Sequence, residues 1–274
     1  MNGVERVLPL TFGWEELPET VSIFGGDPGA RLREPVPGVL VEVDGAWVLL
    51  DTGFNDPLVR DPHLCRRFHG RNHDIHAELL PSDDDSLLAA FERVGVDVDD
   101  VAVVALSHLH NDHAGGLRWF AERVPVHLQR TELAYGLSGH PEPERHGIFR
   151  VDFDDPVIDW RLADGETTIA PGLDAVPTYG HTPGHQSFVL RLTDRAAERY
   201  GVPGFVLAFD AADLQRNIDD EVAVGGFIDC PPEQTVEAIR RLKAIAAQKG
   251  YRLVPGHDPV VWPAFTEELG VPGP

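Results

Sequence analysis

Residues 107–116 read SHLHNDHAGG and follow directly on the apolar run VAVVAL (101–106), so a strand-like segment delivers three histidines and a carboxylate within six positions. Neutral imidazole and carboxylate are ligands for zinc and its divalent neighbours. While the chain is extended, alternate side chains share a face, which points His108 and His110 to one side; Asp112 and His113 then fall where the chain turns towards a helix. Gly115 and Gly116 are expected to let the backbone turn tightly beside so crowded a site.

Three further candidates stand at the ends of later strand-like runs, where α/β proteins tend to place functional residues. They are His185 in YGHTPGHQS (179–187), Asp210 directly after GFVLAF (204–209), and His257 in VPGHDP (254–259). Seven ligands are too many for one tetrahedral ion but leave two ions each with room for water or substrate. Ions roughly 3.5–4 Å apart can share a hydroxide and polarise one carbonyl or phosphoryl oxygen. Two divalent ions per chain are therefore expected. Zinc comes first, although five histidines, two carboxylates and no thiolate also suit iron, manganese or cobalt.

Outward from these motifs, apolar runs recur at 7–12, 38–43, 47–50, 125–129, 187–192 and 252–255, and read as further strands. Helix-like segments lie between them, notably Ser82 to Val94 and Glu233 to Gly250, the second opening after Pro231-Pro232 and closing at a glycine. The mixture predicts an α/β fold, and with no low-complexity linker or short repeat, one domain over 1–274. Stretches 13–36, 55–81 and 137–160 lack obvious elements and are expected to wall a pocket, with Trp14, Phe24, Phe54, Phe149 and Trp160 available for an apolar groove. His181 and Asp258 are expected as turn residues, and His69, His73 and His76 as a solvated loop.

Composition excludes several classes. Forty-five acidic against 23 basic residues give a formal charge of −22, which repels phosphate backbones and anionic membrane surfaces. No nucleic-acid or membrane partner is expected; a small-molecule substrate is, with a homodimer left open. Cys65 and Cys230 imply no disulfide framework. MNGVERVLPLTFGWEE lacks a basic segment followed by an unbroken apolar stretch, and no later apolar run approaches the ~20 residues that span a bilayer, so a cytoplasmic protein is expected.

In type and order, HLHNDH, TPGH, a strand-ending Asp and GHD resemble the metallo-β-lactamase superfamily, and Asp51 in LLDTG resembles the acidic residue that superfamily carries after an early strand. The likeness spans residues 51 to 257. It implies a four-layer αβ/βα sandwich with the metals at one edge of two facing sheets. It also implies one ion at His108, His110 and His185, a second at Asp112, His113 and His257, and Asp210 bridging both. SHLHNDHAGG, LQRTELA (128–134), GHTPGHQS (180–187), NIDDEVAVGGFID (217–229) and VEAIRRLK (236–243) further resemble the N-acyl-homoserine lactonases that open quorum-sensing signals.

For such enzymes the resemblance implies attack of a metal-bridging hydroxide on the lactone carbonyl, with the second ion taking the developing oxyanion. Asp112 would carry the proton to the leaving alkoxide, which makes Asp112 and Asp210 the catalytic candidates. One position departs from the pattern: these lactonases usually carry a tyrosine three residues after the bridging aspartate, and here stands Asp213. An ionised carboxylate accepts but does not donate, so the tyrosine's role does not carry over; Asp213 is a candidate substrate contact against the plainer reading of a surface residue after a strand. The alternatives are hydrolysis of another cyclic ester or a thioester and, outside the hydrolases, a metal-binding sensor or a di-iron module.

Overall fold

The computed structural model describes residues 3–70, 75–140, 144–226 and 230–274. Twelve strands form two sheets among these residues: β1 (Val4–Pro18), β2 (Arg31–Val43), β3 (Ala46–Leu50), β4 (His76–Leu79), β5 (Val101–Ala105), β6 (Pro125–Gln129), β7 (Asp159–Ala163), β8 (Thr167–Ala170), β9 (Leu173–Pro177), β10 (Gln186–Arg191), β11 (Gly204–Leu207) and β12 (Arg252–Val254). The larger sheet runs β4-β1-β2-β3-β5-β6-β7 and the smaller β12-β11-β10-β9-β8.

The period of two along each strand decides the layering. Val39, Val41 and Val43 of β2 and Val48 and Leu50 of β3 face the second sheet, meeting Leu173, Phe188, Leu190, Phe205 and Leu207. The intervening Leu40 and Leu49 face outward and are covered by Leu87 and Phe91 of the helix Ser86–Val94. On the far side, Val176, Val189 and Val206 receive Ala238, Ile239 and Leu242 of the helix Pro232–Lys249. Helix, sheet, sheet and helix make the four-layer αβ/βα sandwich expected from the motifs.

Helix boundaries follow local chemistry. The first helix opens at Ser86, not Ser82, because the Asp85 side chain accepts from Leu87 N–H. The second closes at Gly250, whose φ of 67° is the left-handed conformation a C-terminal cap requires. Stretch 13–36 is not a loop. β1 continues to Pro18 and β2 begins at Arg31, pairing Leu17 with Leu32 in a hairpin arm whose β1 strand also pairs with β4 from Gly13 to Glu16. Stretch 55–81 likewise holds helices Asp56–Arg60 and Pro62–Phe68 and strand β4. Stretch 137–160 contains the helix Arg150–Phe153 and the start of β7. Phe54 and Phe149 are core residues, Trp14 and Trp160 pack against the outer cluster of the larger sheet, and Phe24 is 54% exposed, so these five do not form a common groove. Among the described residues no helix is long and apolar enough to cross a membrane.

Asp152 is a buried carboxyl away from the motifs. One oxygen accepts from Asn55 Nδ2 at 2.7 Å, and the other has no hydrogen-bond partner. Burial pushes it up to about 7, against the pull of Asn55 and Arg118. Because its folded pKa lies above the unfolded value near 4, it favours folding fully only below that value. The contribution is lost as pH rises through about 7. Asp152→Asn stays neutral and is expected to exceed the wild type by on the order of 2 kcal/mol at pH 8, with little difference near pH 4. Urea unfolding at the two pH values checks this; an equal difference at both would contradict it.

Candidate metal centre

The motifs converge because the strands that precede them end at one edge of the sandwich. β3 and β5 run parallel and deliver Asp51 and the 107–113 segment side by side; β11 and β12, also parallel, deliver Asp210 and His257. β10 runs antiparallel to β11, so His185, just before its start, arrives at the same edge.

Asp51 organises the first segment. It is fully buried at a left-handed φ of 58°, a conformation that costs an ordinary residue roughly 1 kcal/mol or more. Its carboxylate accepts from Ser107 N–H and Ser107 Oγ, each at 2.6 Å, and lies 2.7 Å from His113 Nδ1. One carboxylate thus ties both ends of the 107–113 turn. Gly115 and Gly116 serve close approach and not tight turning: a Cβ on Gly115 would lie 2.1 Å from Asn55 N, and one on Gly116 2.3 Å from Thr52 O.

Asp210 stands in the middle. Its Oδ2 faces His181 Nε2 at 3.3 Å and His108 Nε2 at 3.7 Å, while its Oδ1 faces His113 Nε2 and His257 Nε2, each at 3.1 Å. Asp112 Oδ2 lies 3.0 Å from His113 Nε2 and 4.0 Å from His257 Nε2. Among the described residues three groups could hold an ion by the convergence of their ligand atoms: His108, His110, His181 and Asp210; Asp112, His113 and His257; and Asp210, Asp213 and His257.

His185 is fully buried with its ring centroid 5.1 Å from that of His108. His181, expected as a turn residue, does sit in a bend, but its ring turns inward and its Nε2 lies 2.8 Å from His110 Nδ1. Of the presumed solvated cluster, His69 packs edge-on against Phe149 and lines the cleft above Asp112, His76 is exposed on β4, and His73 falls outside the described residues. Asp258 behaves as expected, accepting from Val260 and Val261 N–H.

Several features fit this set to metal. The far nitrogens are held by oxygen: His108 Nδ1 by Ser107 Oγ at 2.9 Å, His113 Nδ1 by Asp51, His185 Nδ1 by Thr178 Oγ1 at 2.9 Å and His257 Nδ1 by the Pro35 carbonyl at 3.0 Å. Such contacts orient an imidazole so that its other nitrogen meets an ion. His110 Nε2 and His185 Nε2 are buried without hydrogen-bond partners, an arrangement that is costly unless something occupies the space they face.

The electrostatics agree. Burial lowers His110 to about 4 and His185 to about 3, leaving both neutral. Burial would lower His113 and His257 too, but carboxylates overrule it: Asp112, Asp210 and Asp51 raise His113 well above its usual value, and Asp210 brings His257 up to about 10. Asp210 itself is pulled far down despite burial, chiefly by His113 and His257.

Glu132 has no role in the sequence reading beyond its place in LQRTELA. It is fully buried and accepts from Leu109 N–H at 3.1 Å, Thr182 Oγ1 at 2.7 Å and Gly184 N–H at 2.9 Å, so it clamps the 107–113 and 181–185 segments together. Asp213 is not a surface residue. It is 5% exposed, burial and then Asp210 push its carboxyl well above the usual range, and Oδ1 has no hydrogen-bond partner. A cleft opens onto Asp112, Asp210 and His257, and its wall includes Asp213, Glu34 and Glu15.

Comparison with known proteins agrees with the geometry. A family model described as "Metallo-beta-lactamase superfamily" matches residues 32–195. An N-acyl homoserine lactonase of Bacillus thuringiensis is 31% identical over 233 residues, 84% of each chain. The N-acyl homoserine lactonase AttM of Azorhizobium caulinodans is 30% identical, over 88% of this chain and 89% of its own. A solved N-acyl homoserine lactone hydrolase, with the product N-hexanoyl-L-homoserine bound at its catalytic metal center, superposes with a TM-score of 0.79 at 28% identity over 94% of both chains.

Proposed function

The chain belongs to the metallo-β-lactamase superfamily, and from that premise we propose that it is a single-domain, dinuclear metal-dependent hydrolase that opens the ring of N-acyl-homoserine lactones. The observation that carries this is the position of Asp210, one oxygen towards His108 and the other towards His113 and His257, in a chain whose relatives at 30–31% identity are named lactonases.

His108, His110 and His185 would hold one ion, Asp112, His113 and His257 the second, and Asp210 would offer an oxygen to each. His185 is preferred to His181 because Thr178 fixes its far nitrogen, whereas His181 Nδ1 has no hydrogen-bond partner. Two divalent ions, when bound, supply Lewis acidity for acidifying water and polarising a carbonyl. Zinc is the proposed metal for this mixed imidazole and carboxylate set. Asp112 faces the cleft, where its carboxylate can take a proton from water and return it to the leaving alkoxide. Asp51 and Glu132 keep the ligand segments in register from behind. A charge of −22 favours a neutral or cationic small molecule over a polyanion, and the low cysteine content supports a cytoplasmic setting.

The test is a panel containing a homoserine lactone, a thioester and a phosphodiester, followed by acid release at constant pH near neutrality. The lactone is expected to be opened fastest, releasing one proton per turnover. Efficient phosphodiester cleavage with no action on any lactone would overturn the assignment.

A further inference from the structure

His69 ends the helix Pro62–Phe68, which Asp61 caps by accepting from His63 and Leu64 N–H. The His69 N–H donates to the Cys65 carbonyl at 2.8 Å, so the last turn fixes the backbone from which the ring projects. The half-buried ring lines the cleft, where the buried Phe149 meets it at 5.3 Å between centroids and an interplanar angle of 87°. Phe68 in turn braces Phe149 at 5.2 Å. This aromatic stack sets the plane of the imidazole. Among the described residues neither ring nitrogen takes part in a hydrogen bond.

His69 belongs to none of the groups of described residues that could hold an ion. Burial lowers it to about 4 against the pull of Asp112, so near neutrality its ring carries one N–H to donate. Other donors on the cleft are committed: His110, His181 and His257 belong to the ion-holding groups, and Asn111 Nδ2 donates to the Gly147 carbonyl at 3.2 Å. No tyrosine, lysine or arginine is among the described residues lining the cleft. An acylated lactone brings two polar groups, the ring ester and the amide that joins the ring to its acyl arm. The ester belongs at the ions. A donor on the same cleft but apart from the ions is placed for the amide, whose carbonyl would otherwise lose its water without a partner.

We propose that His69 recognises the amide of the acyl arm, donating its ring N–H to the amide carbonyl oxygen. The inference rests on the lactonase reading and narrows its substrate class: N-acylated lactones are favoured over lactones whose arm is a plain alkyl chain, because only the former satisfy this donor.

The matched pair N-hexanoyl-homoserine lactone and α-heptyl-γ-butyrolactone tests it, since the second replaces the amide N–H and C=O by methylenes at the same chain length. With metal-loaded enzyme the amide member is expected to show a kcat/KM at least about tenfold higher. In His69→Phe, which keeps an aromatic ring against Phe149, that ratio should fall by about tenfold, mainly through KM. His69→Gln retains an N–H donor and should recover part of it. Calorimetry with the two ring-opened products, on the same proteins at two ions per chain, should show the same preference, its loss in His69→Phe and its partial return in His69→Gln. A ratio that His69→Phe leaves intact, or an equal loss in both variants, overturns the proposal while the lactonase reading stands. Loss of an ion from His69→Phe overturns it too, since His69 would then act on the metal centre. If the wild type opens no lactone, the lactonase reading fails, and the calorimetric preference still decides whether His69 holds an amide.

Discussion

Replacing Asp210 by alanine is expected to release both metal ions and to lower lactone opening by about 10³-fold or more, at least the cost of deleting one well-placed electrostatic group. The expectation follows from the sharing of one carboxylate: Oδ1 faces His113 and His257 at 3.1 Å while Oδ2 faces His108 at 3.7 Å. Without it the buried imidazoles lose the charge that offsets a pair of neighbouring cations. Metal analysis after gel filtration, with rates at saturating lactone, reads both effects. An Asp210→Ala protein that kept two ions and more than a tenth of its activity would remove Asp210 from the centre of the account.

The second large effect is expected at a residue that would touch neither metal nor substrate. Glu132→Ala leaves the Leu109 and Gly184 amides and the Thr182 hydroxyl without their acceptor in a dry interior. At roughly 1–3 kcal/mol for each unsatisfied group, the loss should reach about 3–5 kcal/mol, or a fall in melting temperature on the order of 10 °C. Because Leu109 lies between His108 and His110 and Gly184 beside His185, chelators should strip the variant faster than the wild type. Glu132→Gln keeps one acceptor oxygen and should recover part of both properties. Wild-type stability and chelation rate in Glu132→Ala would show that the two segments need no clamp.

The site was legible where chemistry and periodicity coincide. His108, His110, Asp112 and His113 are dense in sequence because one turn after β5 carries them all. His185, Asp210 and His257 were visible because each flanks a strand with an uninterrupted apolar run. The arm formed by β1 and β2 was not legible beyond Phe12, since WEELP and RLREP carry charges on both faces and mask the alternation. β7 and β8 were missed for a related reason: DWRLA and TTIA are only half-buried, and polar residues dilute their pattern. His181 looked like a turn residue, and its local backbone is a bend; only the arrival of His110 from another strand gives its ring an inward partner. That Glu15, Glu34 and Asp213 line one cleft was out of reach, because Glu15 meets Glu34 only through strand register and Asp213 joins them only in three dimensions.

The central claim, a two-ion hydrolase centre, is tested most directly by titrating zinc into chelated protein while recording bound metal and lactone-opening rate on the same samples. A two-ion centre predicts no opening without metal, saturation at two ions per chain, and full activity only at that stoichiometry. Activity that is complete at one ion per chain, or that persists in metal-free protein, would contradict it.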